Sequence, residues 1–362
     1  MATDIDAAAA GILVGPAPPK ARHVVAVTVG NALEFYDFLT YAFFAAQIGR
    51  TFFPSTDASA SLLASLATFG VGFVMRPIGA FVIGRIGDRV GRKPAMLLSF
   101  GLMGTAMVGL ALTPSAHTIG LLAPALAILF RMIQGFALGG EVGPSTAYLI
   151  EAAPPHRRGL YVAFQYMSQD ASVMVSGLVG FALSSALTDA QLDAWGWRVA
   201  FLLGGIIVPF GLILRRELVE TLHVKPAPGA AVTPADVHVD VRLIAVLGFA
   251  MLAGGTIVSY VLNYLTTYST QTLHMATRIG FLATIVTGLV GVLIDPLSGW
   301  LSDKYGRKPV MIAPWALLAL VTVPGFWFLS HSRTGEVLVA MTVALSPGST
   351  LGGAAVLTAV TE

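Results

Sequence analysis

Long apolar runs of about 20 residues, broken by short polar or basic punctuation, recur along almost the whole chain. Each is long enough to cross a hydrocarbon core of ~30 Å as a helix. Bounded by Pro, Gly and charge, the runs predict helical spans at 23–49, 60–84, 94–113, 119–150, 158–187, 197–214, 242–269, 277–301, 309–330 and 335–358. The fourth run is long enough for its end to project from a bilayer. Within several runs the polar residues are not scattered but recur at helical spacing, so that each such helix carries one polar stripe.

Between the second and third runs lies Gly84-Arg-Ile-Gly-Asp88-Arg-Val-Gly91-Arg92-Lys93-Pro94. Its pattern returns between the eighth and ninth runs as Gly299-Trp-Leu-Ser-Asp303-Lys-Tyr-Gly306-Arg307-Lys308-Pro309, with Gly, Asp, a base, Gly, Arg, Lys and Pro in register. A repeat this long implies duplication of a whole helix bundle. The Pro-rich polar stretch Arg215–Val241 separates six runs from four. The chain is therefore expected to comprise a tail (1–21), a six-helix bundle (22–215), a central linker (216–241) and a four-helix second bundle (242–362). If the halves are equivalent, two helices are missing and the chain resembles a truncated product.

Composition agrees with a membrane protein: 56% of residues are hydrophobic and 11% charged, against roughly 25% charged in soluble domains. A net charge of +2 with dispersed bases gives no nucleic-acid surface, and the absence of cysteine excludes disulfides and thiolate metal sites. No metal-ligand or catalytic spacing is present, so neither a metal nor a cofactor nor an enzyme is expected. Of 21 bases, 15 fall in the tail, the linker and the loops at 85–93, 157–158 and 304–308; Arg50, Arg198, Arg278 and Arg333 fall in the alternate loops. That asymmetry places the N-terminus and both repeated loops in the cytoplasm.

Ionisable groups at membrane depth are costly and point to function. Asn31, Glu34, Asp37 and Tyr41 share an arc of about 120° on the first helix. Two carboxylates on one face penalise the doubly charged state, the property a proton-exchanging group needs; a structural ion pair with an arginine is the alternative. Arg131, Gln134, Glu141, Ser145 and Tyr148 form a stripe on the fourth helix, with Arg131 available to a first-helix carboxylate. Tyr161, Gln165, Ser168, Gln169, Ser172 and Ser176 do the same on the fifth, with Asp170 off the face and read as a packing residue. Tyr260, Asn263, Tyr264, Thr267 and Gln271 mark the seventh helix, and Thr284, Thr287, Asp295 and Ser298 the eighth. Five stripes imply one wet central cavity, although such stripes also glue helices together. Arg76 and Arg198 are each either an interfacial anchor or a contact for an anion, for which the guanidinium fork is suited. Interior prolines and pairs such as Gly135 and Gly139 are read as kinks and packing strips.

The repeated G-x-x-x-D-[RK]-x-G-R-K loops resemble the signature of the major facilitator superfamily, as does Arg131-x-x-Gln134-Gly135 with Gly139-Gly140. Gly30-Asn31-Ala-Leu-Glu34-Phe-Tyr-Asp37-Phe38, Met75-Arg76-Pro77-Ile78-Gly79, Gly139-Gly140-Glu141 and Trp195-Gly-Trp197-Arg198 are similar to the metabolite:proton symporter branch. Thr118-Ile-Gly-Leu-Leu-Ala-Pro124 and the phrase ending in Arg215-Arg216-Glu217 look most like its citrate and tricarballylate carriers, with α-ketoglutarate and osmolyte carriers as relatives.

The resemblance implies an all-α integral membrane fold of two pseudo-symmetric bundles, ten of twelve helices present, rocking about a midplane site. It implies proton-coupled uptake of a small di- or tricarboxylate. Glu34, Asp37 and Arg131 would couple protons. Arg76, Arg198, Asn31, Tyr41, Gln134, Gln165, Gln169, Tyr260 and Asn263 would meet substrate. Gly84, Asp88, Gly91, Arg92, Asp303, Gly306 and Arg307 would gate. Asp303 should meet the fifth helix, while Asp88, whose counterpart is an eleventh helix, should lack a partner. Expected partners are a small organic anion, protons and the lipid bilayer, with the protein a monomer in the inner (plasma) membrane. A betaine-like osmolyte symporter and a non-transporting membrane sensor are the alternatives.

Overall fold

A computed structural model of the chain describes residues 21–216 and 241–361; the expected tail and nearly all of the expected linker lie outside them. Among the described residues there are ten helices of at least twenty residues: α1 (Ala21–Phe43), α2 (Ala58–Arg89), α3 (Arg92–Leu112), α4 (Leu122–Ala152), α5 (Arg158–Ala186), α6 (Trp197–Arg216), α7 (Val241–Thr267), α8 (Thr277–Tyr305), α9 (Arg307–Ser332) and α10 (Gly335–Thr361). Their bounds follow the apolar runs. The first run breaks at Phe44 and resumes as a short helix, Ala45–Phe52.

Seven of the ten, α2, α3, α4 and α7 to α10, are long and apolar enough to cross a membrane. The ten spans expected from the runs thus stand at seven by this measure. Helices α1 and α5 are diluted by their own polar stripes, Asn31, Glu34 and Asp37 in one and Gln165 to Ser176 in the other.

Local chemistry sets the helix ends. Asp57 caps α2 by accepting from the Ser59 amide at 2.9 Å. Both repeated loops use one backbone device: Gly91 (φ 141°, ψ 152°) and Gly306 (φ 88°, ψ 166°) occupy a region open only to glycine. Each is followed by Arg-Lys-Pro, with the proline in the first helical turn, where its missing N–H leaves no bond unmade. The glycine shared by the two copies is therefore explained by its conformation.

Helices α1 to α6 pack among themselves through α2 on α4, α3 on α4 and α6, and α1 on α5 and α6. Helices α7 to α10 pack through α10 on α8 and α9, and α7 on α8 and α10. The two groups meet chiefly along α5 and α8. Tyr41, Phe44, Phe52, Trp197 and Phe201 centre the first core, and Leu265, Leu329, Leu338 and Leu345 the second. Large apolar side chains also point outward, with Phe81, Phe249, Leu320 and Val323 at least 70% exposed, as a lipid-facing surface requires.

Glycine brings two helix pairs to backbone contact. On α2 and α4, a Cβ at Gly79 would collide with the backbone of Phe136, one at Gly135 with Gly72, and one at Gly139 with Arg76. The Gly135 and Gly139 strip thus receives α2. On α5 and α8, Gly159, Gly177, Gly180, Gly288, Gly291 and Gly299 face the opposite helix in antiparallel register.

Candidate functional site

The α2 and α4 seam holds a buried arginine, Arg131, and a half-buried one, Arg76, against α1. Arg131 is fully buried, and its Nη1 donates to Gln134 Oε1 at 2.6 Å. Its guanidinium lies 4.3 Å from the Tyr41 ring centroid, 4.8 Å from Phe69 and 5.1 Å from Phe38. Arg76 stacks on Phe38 and Phe73 at 4.4 and 4.2 Å. Phe38 therefore contacts both cations, each held by cation–π contacts.

Glu34 and Asp37 are fully buried on the facing side of α1. Arg131 acts on Asp37 through space, but gives its hydrogen bond to Gln134, and neither oxygen of Asp37 has a donor among the described residues. Glu34 is engaged by its surroundings. The expected meeting of Arg131 with the first helix is thus electrostatic, and it leaves Asp37 without the fixed hydrogen bond of a structural ion pair.

A cavity of about 230 Å³ opens where both helix groups converge. Arg76, Gln165, Gln169, Tyr260 and Asn263 line it, together with Tyr166, Asp170, Ser259, Thr287, Ser349 and Thr350. Arg76 presents Nε and Nη2 without an acceptor among the described residues. The volume lies below the ~300–1,000 Å³ usual for drug-sized ligands, and the wall mixes one guanidinium with amides and hydroxyls.

Other expected contacts are elsewhere. Asn31 donates to Ser168 Oγ at 2.7 Å and to the Gln165 carbonyl at 3.2 Å, sewing α1 to α5. The Ser172 hydroxyl joins the Ala32 carbonyl in the same seam. Tyr41 is fully buried, donates to the Ser65 carbonyl at 3.3 Å and lies under Arg131. Gln134 is taken by Arg131, and Gln165 accepts from Thr146 at 2.7 Å even though it touches the cavity.

Arg198 is not among the residues lining the cavity. Its Nη1 donates to the Ala111 and Thr113 carbonyls at 2.7 and 2.6 Å, and its guanidinium lies 4.5 Å from the Trp197 ring centroid. It caps the C-terminus of α3, where carbonyls lack partners and a cation is favoured. The structure thus places Arg198 apart from Arg76 and the other cavity residues. Asp170, expected off the polar face as a packing residue, packs against Gly288 and Gly291 and also lines the cavity with Gln165 and Gln169 of the same helix. Ser349 and Thr350 escape the sequence analysis; the signal for them is Pro347-Gly-Ser-Thr350 interrupting an apolar run.

At the end of α8, Asp303 Oδ1 accepts from the Gly159 amide at 2.8 Å and Oδ2 from Leu160 at 2.9 Å. Arg307 Nη1 donates to Asp303 at 2.8 Å and to Ser302 at 3.0 Å. The carboxylate thus sits on the first free amides of α5, where the helix dipole favours it. A Cβ on Gly159 would meet Asp303, Arg307 and the Gly299 carbonyl within 3.0 Å. In the first copy, Gly84 has open space around it and Asp88 is exposed at the end of α2. Asp88 is not without a partner. The side chain of Arg92 lies outside the described residues.

This arrangement can be set against known proteins. A citrate-proton symporter of Klebsiella pneumoniae is 36% identical over 351 residues, covering 94% of this chain and 77% of that protein. The alpha-ketoglutarate permease of Escherichia coli (strain K12) is 38% identical over 309 residues, 83% of this chain and 70% of the permease. A glycine betaine/proline/ectoine/pipecolic acid transporter of Dickeya dadantii (strain 3937) is 30% identical over 338 residues, 88% and 67% of the two chains. Among solved structures, the proton:xylose symporter XylE bound to 6-bromo-6-deoxy-D-glucose superposes with a TM-score of 0.76 at 20% identity, over 93% of this chain and 80% of that one. The family description Major Facilitator Superfamily matches residues 27–362. With the family match over most of its length and the fold in agreement, the chain belongs to the Major Facilitator Superfamily.

Proposed function

We propose that the protein is a proton-coupled symporter for a small di- or tricarboxylate such as citrate, working by alternating access in the inner (plasma) membrane with its N-terminus cytoplasmic. The observation that carries this reading is Arg76: a half-buried arginine in contact with two aromatic rings lines a small cavity of mixed polar and apolar walls and keeps two donors without an acceptor among the described residues. A fork of this kind matches a carboxylate and costs desolvation until one arrives. The citrate and α-ketoglutarate activities in the names of two relatives support the same class. Glu34 and Asp37 exchange the proton, and Arg131 sets the field in which Asp37 does so. Gln169, Tyr260 and Asn263 orient the substrate. Asp303, Gly159 and Arg307 latch the cytoplasmic ends of α5 and α8, and the Asp88 loop does so at the end of α2.

In proteoliposomes, uptake of labelled citrate should rise with an inward proton gradient and collapse in Glu34→Gln or Asp37→Asn. Uptake indifferent to the gradient sinks the coupling. A second reading, a zwitterionic osmolyte as substrate, is favoured by Asp170 sharing the cavity with Arg76, since a molecule with both charges could satisfy both walls. Competition settles the choice: excess betaine displaces labelled citrate only if this second reading holds.

A further inference from the structure

Two carboxyl groups lie outside the proton route just described. Asp170 on α5 and Asp295 on α8 face each other across the seam between the helix groups, within hydrogen-bonding range. Glycine makes the approach possible. A Cβ at Gly291 would strike the Asp170 carboxyl group, and one at Gly288 would strike its backbone. Asp295 is fully buried, and neither of its oxygens has a donor among the described residues. Asp170 also lines the cavity.

We infer that Asp170 and Asp295 form a second proton-binding site of this protein, one proton held between the two carboxyl groups across the α5 and α8 seam. Two ionised carboxylates are both acceptors; Asp295 is fully buried and Asp170 half-buried beside it, with no ion pair to either among the described residues. One proton changes the contact from a repulsion into an O–H···O⁻ hydrogen bond, the short and strong charge-assisted type. The proton comes from water through the cavity on the Asp170 side and returns the same way; no other bond is made or broken.

The other ionisable groups nearby are few. Tyr166 on α5 faces both carboxyls. Arg76 of α2 and Tyr260 of α7 stand in the cavity wall. Helix α1, packed on α5, brings Glu34 and Asp37, and α4 brings Arg131. Helix α10 packs against both α5 and α8 and carries Glu336 alone among ionisable residues, at its outer end. The ends of α8 carry Arg278, Asp303 and Lys304, and α9 contributes bases only near its own ends.

The consequence concerns coupling and rests on the symport reading above. An anion entering beside Arg76 meets Asp170 on the same wall, so the doubly charged pair repels it more strongly than the singly protonated pair, whose one remaining charge is shared across the seam. The same proton ties α5 to α8, the helices through which the two groups must move. Anion entry and closure of the seam thus depend on one event.

The test is infrared difference spectroscopy on the purified protein in lipid at neutral pH. Wild type minus Asp295→Asn should show a protonated-carboxyl stretch that shifts in D2O, and wild type minus Asp170→Asn the same band. An amide partner donates to the remaining carboxylate, so either variant loses the shared proton. The double variant Asp170→Asn/Asp295→Asn, which keeps shape and can form an amide hydrogen bond, gives the same difference should a single variant fail to fold. Absence of the band from these differences overturns the proposal. The readout is independent of transport: the band present without citrate accumulation would sink the symport reading and support the pair, and accumulation without the band would do the reverse.

Discussion

Asp303→Asn probes the latch most directly. Asp303 accepts two backbone amides of α5 and one bond from Arg307, all between 2.8 and 2.9 Å, and the two side chains are only 11% and 20% exposed. An asparagine keeps one acceptor oxygen but turns an NH2 group toward the second amide. At least one charge-assisted bond is lost, a cost of about 1.5–3 kcal/mol to the latched state. At 1.4 kcal/mol per factor of ten, the unlatched population should rise roughly 10- to 150-fold. The chain has no native cysteine, so a single cysteine reports cleanly. Placed at Ala163, a buried residue against Gly299 near the latch, it should react with a permeant maleimide faster in the Asn variant by that factor, since labelling follows the open fraction when closing is fast. Placed at Thr284, opposite Gly177 in the other half of the seam, it should not accelerate. An unchanged rate at 163, or equal acceleration at both positions, would refute the latch: the first says the contact is incidental, the second that the substitution merely loosened the seam.

Three further outcomes follow from the same contacts. Arg76→Lys keeps the charge but loses the fork and its stacking, and should weaken citrate binding by about tenfold or more without unfolding, read by calorimetry on purified protein. Arg198→Lys should lower stability by about 1–2 kcal/mol through the α3 cap, with substrate affinity unchanged, read by thermal melts beside the same titration. Gly91→Ala and Gly306→Ala should each cost about 1–3 kcal/mol from their forced backbone conformation, whereas Gly84→Ala, with open space around it, should leave the melting temperature where it was.

The helices were legible because intramembrane helices need long uninterrupted apolar runs, and Pro154-Pro155 or Gly306 can only punctuate them. Stripes were legible for the same geometric reason, but their destinations were not. Periodicity says that Asn31, Gln165, Ser168 and Ser172 share faces of α1 and α5; it cannot say that those faces meet each other, as the Asn31 to Ser168 bond shows. Asp170 shows the same limit, since periodicity sets it off the stripe yet it lines the cavity together with the stripe residues Gln165 and Gln169. Arg198 shows the limit from the other side. A guanidinium beside two tryptophans is consistent with an anion site, and only the carbonyl ends of α3, remote in sequence, reveal a helix cap. The latch is better specified because a repeated motif fixes Asp303 at a helix end and the family resemblance implies the fifth helix as its counterpart.

Glycine joins these observations. Read from sequence alone, the glycines of α2, α4, α5 and α8 are packing devices, and they are. Yet the charges of the site lie where glycine has brought backbones together: Arg76 and Arg131 along the α2 and α4 seam, Asp170 and Asp295 along that of α5 and α8. Close backbone approach leaves little room for water, and a charge beside such a seam is felt more strongly by its neighbours than it would be in solution. The two seams differ in one respect. That of α2 and α4 lies within one helix group and can hold its arginines fixed through a transport cycle. That of α5 and α8 joins two groups that must move, so the groups bridging it, Asp303 at the end and the carboxyl pair in the middle, have to be breakable. A hydrogen bond to a helix terminus and a proton between two acids are both contacts of that kind, strong when made and open to exchange with water or a proton when the seam parts.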